Sequence, residues 1–473
     1  MFVLRTLALG MVTSVLAIST SGVVAAQEEQ RSPVPDEASR KRASSLVKEV
    51  YGDRYAKAKT LDERLALAEE LLRAASEPAT DPASRYVLLS AARSLATEAG
   101  DGLMALATVD ELGKQFQIDV AQMKCASVKD LMKTARLPLQ KVFLAVSCHD
   151  LICDAVRGDD FETAKRLSQY GLTLSRGARH EALTRHMTAS KKLILEAEQA
   201  LSGVKPAMEV LADAPADERA NLAVGQYLCF VKGDWQRGLP MLALGGEAQL
   251  SPLAEKELRK IDSPDASLAQ ADAWWDLAQA REGSAREHLL KHAAAWYQQA
   301  LPSLAALSKA RAEKRMKEIQ KETAPGILWL ADLEPEHITV LGPRLVPASP
   351  EEAVVAIRKS FTVSGVPSRH GLWAHPSYPR RPSRLVFNVY GAYSSLTGVA
   401  TLADSAKRSG GSLTFEAKGE GKTLWRSKGL ASRDDSQWFS VNTSGVEQLE
   451  LIVHCPGTNH NAHAVWFEPF LVR

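Results

Sequence analysis

Two short segments near the C terminus carry the side chains best suited to binding a small polar molecule. An exposed aromatic ring can stack on the C–H face of a pyranose, while nearby polar groups hydrogen-bond the sugar hydroxyls. The candidate residues are Trp373, His375, Ser377 and Tyr378 in the first segment, and His460, Asn461 and His463 in the second. For His375 and Ser377, an equally good interpretation is that they hydrogen-bond the backbone and shape the loop.

The histidine spacing does not predict a metal site. His454, His460 and His463 lie within ten residues, but His454 ends a predicted strand whose direction the sequence does not give. His288 and His292 are four residues apart on a predicted helix without an evident third ligand, which favours an exposed pair. We therefore expect no metal held by these histidines, and no cofactor.

No catalytic motif stands out. The chain lacks a phosphate-binding glycine loop of the Walker type, and His180, Glu181 and His186 do not have the spacing of a helical zinc protease. No carboxylate pair has a setting typical of glycoside hydrolysis, so a hydrolase that uses C-terminal acids is the weakest hypothesis. We expect a protein that is not an enzyme.

The beginning of the chain predicts export. Residues 1–26 contain Arg5, an apolar run over 7–18 and the small residues Val24-Ala25-Ala26, which together are typical of a signal peptide. We expect the protein to be periplasmic or extracellular. Five cysteines, an odd number, do not indicate a disulfide framework, and their pairing stays open.

Charge and hydropathy exclude two classes of partner. The 473 residues include 58 Lys and Arg against 56 Asp and Glu, whereas a nucleic-acid partner requires a strongly basic face. After residue 26, no stretch approaches the roughly 20 apolar residues of a membrane span. We therefore expect neither a nucleic-acid partner nor a membrane-spanning segment.

Composition changes at about residue 325. Residues 27–324 contain 14 glycines and 14 aromatic residues, and the half-length segment 325–473 contains 13 and 14. Glycine favours tight turns and aromatic residues favour strands, so a helical part followed by a β-rich part is predicted. The predicted division is a signal peptide (1–26), a linker (27–40), a helical region (41–324), a linker with a first strand (325–348) and a β-sandwich (349–473).

The helical region shows amphipathic patterns with similar breaks. Leu61, Leu65, Ala68 and Leu72 predict one apolar helix stripe. Gly-Asp pairs at 100–101, 158–159 and 233–234 predict that glycine ends one helix and aspartate caps the next. These hairpins resemble the tetratricopeptide (TPR) type, but their irregular separation predicts a degenerate α-solenoid, with an irregular helical bundle as the alternative.

The C-terminal part alternates apolar and polar residues with a period of two. The inward-facing sets are Leu385, Phe387 and Val389; Leu413, Phe415 and Ala417; and Leu449, Leu451 and Val453. Such runs, separated by glycine-containing turns, predict strands of an antiparallel sandwich. Trp466 is predicted to lie in the core, whereas Trp438 is equally compatible with core and surface.

The order of motifs in residues ~350–473 resembles the NPCBM family of carbohydrate-binding modules. The residues that carry the resemblance are Gly365, His370–Ser377, Leu385–Tyr393, Gly398 with Asp404, Ser412–Glu416, Gly419–Leu424, Val441–Val446 and His463–Trp466. The resemblance implies a galactose-binding-like jelly roll and a carbohydrate ligand. The family usually has an acid just before the final His motif, where this chain has Ala462, so a carboxylate that could hold a structural calcium ion is missing.

The sequence thus predicts an exported, non-enzymatic protein with two parts. The sandwich would bind a glycan, and the helical region would act as a scaffold or bind a protein partner. The alternative is that both parts bind proteins and that the sandwich binds no sugar.

Overall fold

The computed structural model describes residues 31–259, 261–340, 357–358, 361–363, 366–376, 381–406 and 408–473. The chain divides into two compact units, Met1–Thr134 and Ala135–Arg473. The predicted signal peptide and the candidate site residues Ser377 and Tyr378 lie outside the described residues. None of the described helices combines the length and the apolar character that a membrane span requires.

The first unit is built from helices whose starts are capped by side chains. Thr60 and Glu63 form a reciprocal capping box, in which the Thr60 hydroxyl accepts from Glu63 N at 3.2 Å and the Glu63 carboxylate accepts from Thr60 N at 2.9 Å. The helices are α1 (Glu37–Lys57), α2 (Leu61–Ser76), α3 (Pro82–Glu98), α4 (Gly102–Gln115) and α5 (Val120–Thr134).

The second unit begins with further helices and ends with strands, as the change in composition predicts. Its helices are α6 (Pro138–Arg157), α7 (Phe161–Gly177), α8 (Glu181–Asp213), α9 (Glu218–Gln226), which continues as a π-helical turn over Tyr227–Val231, α10 (Trp235–Leu244), α11 (Leu250–Leu258), α12 (Pro264–Gln279), α13 (Gly283–Ala300) and α14 (Ala306–Glu322). Neighbouring helices along the chain pack against each other, notably α6 on α7 and α12 on α13.

The Gly-Asp prediction is confirmed at two breaks and wrong at the third. Gly100 and Gly233 adopt positive φ angles, and the next residues, Asp101 and Asp234, cap the following helices. At the middle break, both roles move one residue along the chain: Asp159 has φ 61°, and Asp160 caps α7. An aspartate tolerates this left-handed conformation because its short side chain hydrogen-bonds locally. Asp159 is then placed to pair with Lys232 of the next break, at 2.5 Å.

A buried carboxylate organises the packing of α11, α12 and α13. Glu257, with 10% of its side chain exposed, accepts hydrogen bonds from Trp274 Nε1 at 2.7 Å and Trp296 Nε1 at 3.0 Å, and it pairs with His292 at 2.8 Å. A buried carboxylate is stable only when donors surround it, and these three rings provide them. Trp275 is also buried, so neither of the adjacent tryptophans is a surface contact.

The prediction that His288 and His292 form an exposed pair is wrong. His292 stacks on Trp235 with ring centroids 3.6 Å apart, and His288 Nδ1 donates to the carbonyl of Phe230 at 2.9 Å. Both side chains face neighbouring helices. The spacing of four residues correctly placed both histidines on one face of their helix. The sequence does not tell that neighbouring helices pack against this face.

The strands form two antiparallel sheets with one core between them. The five-stranded sheet has the order β1 (Ile327–Trp329), β13 (Ala464–Val472), β7 (Ser395–Leu402) and β11 (Gln437–Asn442), with β5 (Leu372–Trp373) also paired to β13. The six-stranded sheet has the order β10 (Leu430–Ser432), β8 (Arg408–Gly419), β12 (Gln448–His454), β6 (Ser383–Asn388) and β2 (His337–Thr339), with β9 (Lys422–Arg426) also paired to β8. A short hairpin joins β3 (Thr362–Val363) and β4 (Val366–Pro367).

The predicted inward-facing residues form this core. All nine alternating apolar residues of the three predicted strands belong to one buried cluster, which also contains Trp466 from the other sheet. Trp466 is fully buried, as predicted, and its ring lies edge-on to Phe415 at 5.1 Å. The period-two pattern therefore fixed which side of each strand faces the core.

Helices cover the part of the outer face of the five-stranded sheet that β13 and β7 form. Phe143 of α6 contacts Phe467 and Phe470 of β13, with ring centroids 6.2 and 6.4 Å apart. His180, which caps α8, lies 2.8 Å from Thr397 Oγ1 of β7 and stacks on Phe470. The helices and the sandwich are therefore packed together within the second unit.

Candidate functional site

Strand pairing brings the two predicted segments together at one end of the sandwich. β5 runs antiparallel to β13, with Leu372 opposite Trp466 and Trp373 opposite Val465. Because the chain leaves β5 at the position where it enters β13, the segment after Trp373 lies beside the segment before Ala464. The sequence predicted both segments as candidates, and the pairing of β5 with β13 makes them neighbours.

Three of the candidate residues form an aromatic cluster. The Trp373 and His375 ring centroids are 6.1 Å apart, Trp373 and His463 are 5.2 Å apart, and His375 and His463 are 5.7 Å apart. Trp373 is only 3% exposed, whereas His375 and His463 are half-buried. The indole therefore forms the base of the cluster, and the imidazoles form its accessible part.

Hydrogen bonds from both loops fix the two imidazoles. His375 Nδ1 donates to the carbonyl of Pro376 at 2.9 Å, which makes Nδ1 the protonated nitrogen of that ring. The same carbonyl accepts from Asn459 Nδ2 at 3.2 Å, so a single acceptor joins the two loops. His463 Nδ1 lies 2.7 Å from Ser405 Oγ. The cluster is thus held in place before any ligand arrives, which lowers the entropy cost of binding.

A third loop, after β7, contributes polar groups that the candidate set lacked. Ser405 bonds to His463, and the preceding residue, Asp404, forms an ion pair with Arg433. Ala403 N donates to the carbonyl of His463 at 2.9 Å, which ties this loop to the cluster. Asp404 was part of the NPCBM resemblance, but no local pattern in the sequence indicated Ser405 or Arg433.

The remaining candidate residues lie apart from the ring cluster or outside the described part. His460 is exposed, and its carbonyl accepts from Gly410 N at 2.7 Å at the start of β8. Asn461 is exposed and has φ 53°, so it serves the turn that leads into β13. Ala462, which occupies the position of the family's acidic residue, is fully buried.

The three C-terminal histidines have separate surroundings. His454 pairs with Glu416 at 2.7 Å on the outer face of the six-stranded sheet, whereas His463 belongs to the ring cluster. Within the described part of the chain, no group of three or more His, Cys, Asp or Glu side chains is arranged to hold a metal ion.

Glu416, on the six-stranded sheet, is a strongly perturbed carboxylate. Its side chain has no exposed surface, and it pairs with Arg426 at 2.9 Å and with His454. Burial alone would raise the pKa of Glu416, but hydrogen bonds from Thr423, His454 and Arg426, with the charge of Lys418, lower the pKa to about 2. Perturbed groups occur in binding sites and in structural ion-pair networks alike. With every partner on the same sheet, Glu416 belongs to the second kind.

The sandwich contains an NPCBM/NEW2 domain. Residues 328–472 match the family model of that domain, which confirms the family that the C-terminal motifs indicated. The match covers the sandwich. No curated protein matches the chain.

Several solved structures of carbohydrate-binding modules are similar to part of this chain. The M60 catalytic domain with the CBM51-1 and CBM51-2 domains of Clostridium perfringens ZmpB is 17% identical, with a TM-score of 0.24, over 31% of this chain and 15% of that chain. The tandem CBM51 modules of Sp3GH98, the family 98 glycoside hydrolase from Streptococcus pneumoniae SP3-BS71, are 17% identical, with a TM-score of 0.25, over 33% of this chain and 49% of that chain. The CBM51 of Clostridium perfringens GH95, in complex with methyl-galactose, is 16% identical, with a TM-score of 0.24, over 31% of this chain and 99% of that chain. This chain therefore spans less than two thirds of the first two structures.

Proposed function

We propose that this protein binds carbohydrate, without catalysis, through the loops at one end of its C-terminal sandwich. The match of residues 328–472 to the NPCBM/NEW2 domain is the observation that carries the proposal. The cluster of Trp373, His375 and His463 is consistent with it, since two ordered imidazoles beside an indole present hydrogen-bonding edges to sugar hydroxyls. His460 and Asn461, in the segment that leads into β13, remain candidate ligand contacts. Ser377 and Tyr378, outside the described residues, remain candidates as well.

The helical region has a supporting role in this proposal. We infer an exported protein in which TPR-like hairpins serve as a scaffold or bind a protein partner, while the sandwich, a galactose-binding-like jelly roll, carries the glycan site. The packing of α6 and α8 on the sandwich supports a scaffold role, because it fixes the sandwich to the helices.

A glycan panel tests the proposal. The full chain is titrated with neutral mono- and oligosaccharides that include galactose and N-acetylglucosamine, beside the variants His375→Ala and His463→Ala. Each variant should weaken binding about tenfold or more, as expected for loss of a hydrogen-bonding group in a preformed site. The control is His337→Ala, whose exposed side chain lies in β2, away from the cluster.

The result that overturns the proposal is the absence of binding to any glycan of a broad panel. Trp373→Ala adds a second arm, with circular dichroism to establish that the sandwich still folds, because this indole is buried.

A second function is favoured by the burial of Trp373. An indole that is 3% exposed offers no open face for stacking on a sugar ring, which favours a sandwich that binds protein instead. Affinity capture by the full chain from an exported protein fraction, repeated with saturating sugar, distinguishes the two. Capture that sugar does not affect, together with an empty glycan panel, would establish the protein-binding alternative.

A further inference from the structure

A basic depression lies where the turn between α7 and α8 meets the sandwich. Its volume is about 470 Å³, within the range of about 300–1,000 Å³ that small-molecule sites occupy. The residues around it are Arg176, Arg179, Glu181, Thr184 and Arg185. Three guanidinium groups therefore share one concave surface with a single carboxylate.

A fourth cation adds to this charge. The Lys141 side chain crosses Gly177, and its Nζ lies 3.6 Å from the position that a β-carbon of Gly177 would occupy. Four positive side chains thus surround the turn against one negative side chain, whereas the whole chain has a net charge of +2. The depression therefore carries a local excess of positive charge in a chain whose charges nearly balance.

These cations are not engaged by acids of the described part of the chain. Within the residues that the structure describes, Lys141, Arg176, Arg179 and Arg185 take part in no ion pair, and Arg185 reaches only the hydroxyl of Ser394, at 3.5 Å. Some other basic side chains on or beside these helices have acidic partners, as Lys165 has Glu198 at 2.7 Å and Lys232 has Asp159 at 2.5 Å. Unpaired arginines in a cleft are suited to an oxyanion, because the guanidinium fork matches carboxylate and sulfate geometry.

The recognition rests on these side chains and does not depend on the amides of α8. The first turn of α8 is already capped, since Leu183 N donates to His180 Nδ1 at 3.2 Å and Thr184 N donates to the carbonyl of His180. The positive charge also acts on a buried group: burial lowers the pKa of His180, a backbone hydrogen bond partly opposes this, and the charge of Arg185 lowers the pKa further.

An exposed aromatic ring lies on the same side of the sandwich. His180 contacts Ser440 of β11, and side chains two residues apart on a strand point to the same face. Trp438 therefore shares the outer face of β11 with Ser440, and it is 42% exposed. Phe439, between them, is buried in the core. A cationic depression and an accessible indole together suit an acidic sugar better than a bare anion.

We propose that the depression formed by Arg176, Arg179 and Arg185 binds the carboxylate or sulfate groups of an acidic polysaccharide, with Trp438, on the outer face of β11, as a sugar-stacking ring. This site is separate from the loops that carry Trp373 and His463. It extends the proposed carbohydrate-binding function to a charged glycan held jointly by the helical region and the sandwich, and it rests on that function for the class of ligand.

Dextran, carboxymethyl-dextran and dextran sulfate of matched length provide the test, because they share a backbone and differ in charge. The full chain is titrated with each polymer at low and at moderate salt. The wild type should bind at least one of the charged polymers more tightly than dextran. Preference for carboxymethyl-dextran would indicate a uronic-acid type of ligand, and preference for dextran sulfate a sulfated one.

The variant Arg179→Gln/Arg185→Gln should lower the affinity for the charged polymer about tenfold or more, since each lost charge-assisted hydrogen bond is substantial. Trp438→Ala should lower the affinity for the charged polymer about threefold, as expected for loss of a partly exposed stacking contact. The matched control is Arg219→Gln, an exposed arginine of α9 outside the depression.

Three results would overturn the inference. They are failure of the wild type to bind either charged polymer, an equal loss of affinity in Arg219→Gln, and binding of single-stranded DNA as tight as binding of the charged polymers. His375→Ala and His463→Ala separate this inference from the proposed function, because they should affect neutral glycans and leave the charged polymers bound. If neutral glycans bind and charged polymers do not, only this inference fails.

Discussion

The two sheets of the sandwich cover their outer faces in opposite ways. On the five-stranded sheet, helices α6 and α8 place Phe143 and His180 against Phe470, which is fully buried. On the six-stranded sheet, the strands provide their own cover: Glu416, also fully buried, lies beneath Arg426 and His454. Helices cover the outer face of β7 and β13, which we call the helix-covered face, and paired charged side chains cover the outer face around Glu416, which we call the charge-covered face.

The difference shows in the ionisable groups of each face. Where helices cover the sheet, histidines are desolvated without a carboxylate partner: His149 and His186 lie 3.0 Å apart beside Gly326, which precedes β1. Burial lowers the pKa of His149 to about 3, with a contribution from the charge of His186, and it lowers the pKa of His186 to about 4. On the charge-covered face, Glu416 stays ionised, because the hydrogen bonds and charges of its partners lower its pKa by more than burial raises it. Buried ionisable groups are thus neutral histidines on the helix-covered face and a paired, ionised carboxylate on the charge-covered face.

The largest expected change in folding stability comes from removing a buried ring between the helices and the five-stranded sheet. Phe470→Ala removes a ring that contacts Phe143, His180 and Trp329, and it should lower the free energy of unfolding by about 3–5 kcal/mol through lost burial and the cavity left behind. Urea unfolding followed by circular dichroism measures it. Trp438→Ala, on the outer face of the same sheet but exposed, should cost about 1 kcal/mol or less. Equal costs would show that the helices do not seal this face.

The second-largest expected effect is a loss of folding stability in mild acid, caused by the histidines of the helix-covered face. His149 and His186 have folded-state pKa values below their ordinary value of 6.5, so the unfolded chain binds more protons and stability falls as the pH drops below 6.5. Between pH 7 and pH 5, we expect a loss of about 2 kcal/mol for each histidine. Urea unfolding at both pH values measures it, and His149→Gln/His186→Gln should lose less stability over that interval. An identical pH dependence in both proteins would contradict the assignment.

The interactions of the charge-covered face should lose their contribution to folding stability only at much lower pH. Since the folded-state pKa of Glu416 is about 2 against an ordinary 4.5, its contribution is present above pH 4.5 and is lost as the pH falls towards 2. The loss should reach about 3 kcal/mol, and Glu416→Gln should abolish this part of the acid sensitivity. Hydrogen exchange in the Gln448–His454 strand between pH 5 and 2.5 localises the effect. The control, Glu334→Gln, alters a carboxylate with 72% of its side chain exposed and should leave the exchange unchanged.

The smallest expected change in folding stability comes from an ion pair at the edge of the charge-covered face. Arg384 pairs with Glu450 at 2.8 Å, but 40% of the arginine side chain is exposed. Arg384→Met should therefore cost about 1 kcal/mol or less, and the cost should shrink in high salt. Thermal unfolding at two salt concentrations measures both quantities. A cost comparable to that of Phe470→Ala would mean that exposed ion pairs, and not the buried Glu416, hold this face.

The two parts of the chain differ in how far the sequence predicted them. In the strands, the period-two pattern identified the core residues, because successive side chains point to opposite faces. In α2, the predicted stripe is confirmed only in part: Ala68 is buried and Leu65 and Leu72 are half-buried, but Leu61 is 53% exposed. The buried side of the helix is turned towards Leu71, which is 1% exposed. A helix with apolar residues on several sides can turn any of them inward, so the neighbouring helix decides.

The candidate site shows the same limit. The sequence identified Trp373, His375 and His463 as residues suited to ligand binding, but their residue types did not tell that Trp373 would be buried beneath the histidines. The sequence does not single out the arginines of the α7–α8 turn, because acidic residues elsewhere in the chain balance their charge. Three of them become one depression only when the turn packs beside Ser394.

By itself, the sequence determined the order of a helical part and a β-rich part, the inward faces of the main strands and the NPCBM-type domain. These features follow from local periodicity and motif order, which a linear sequence contains. Only the tertiary structure decided which sheet the helices cover, which histidines become neutral, which carboxylate stays charged and where positive charge gathers. Desolvation and electrostatic pairing depend on groups brought together from distant positions, and these distances exist only in the folded chain.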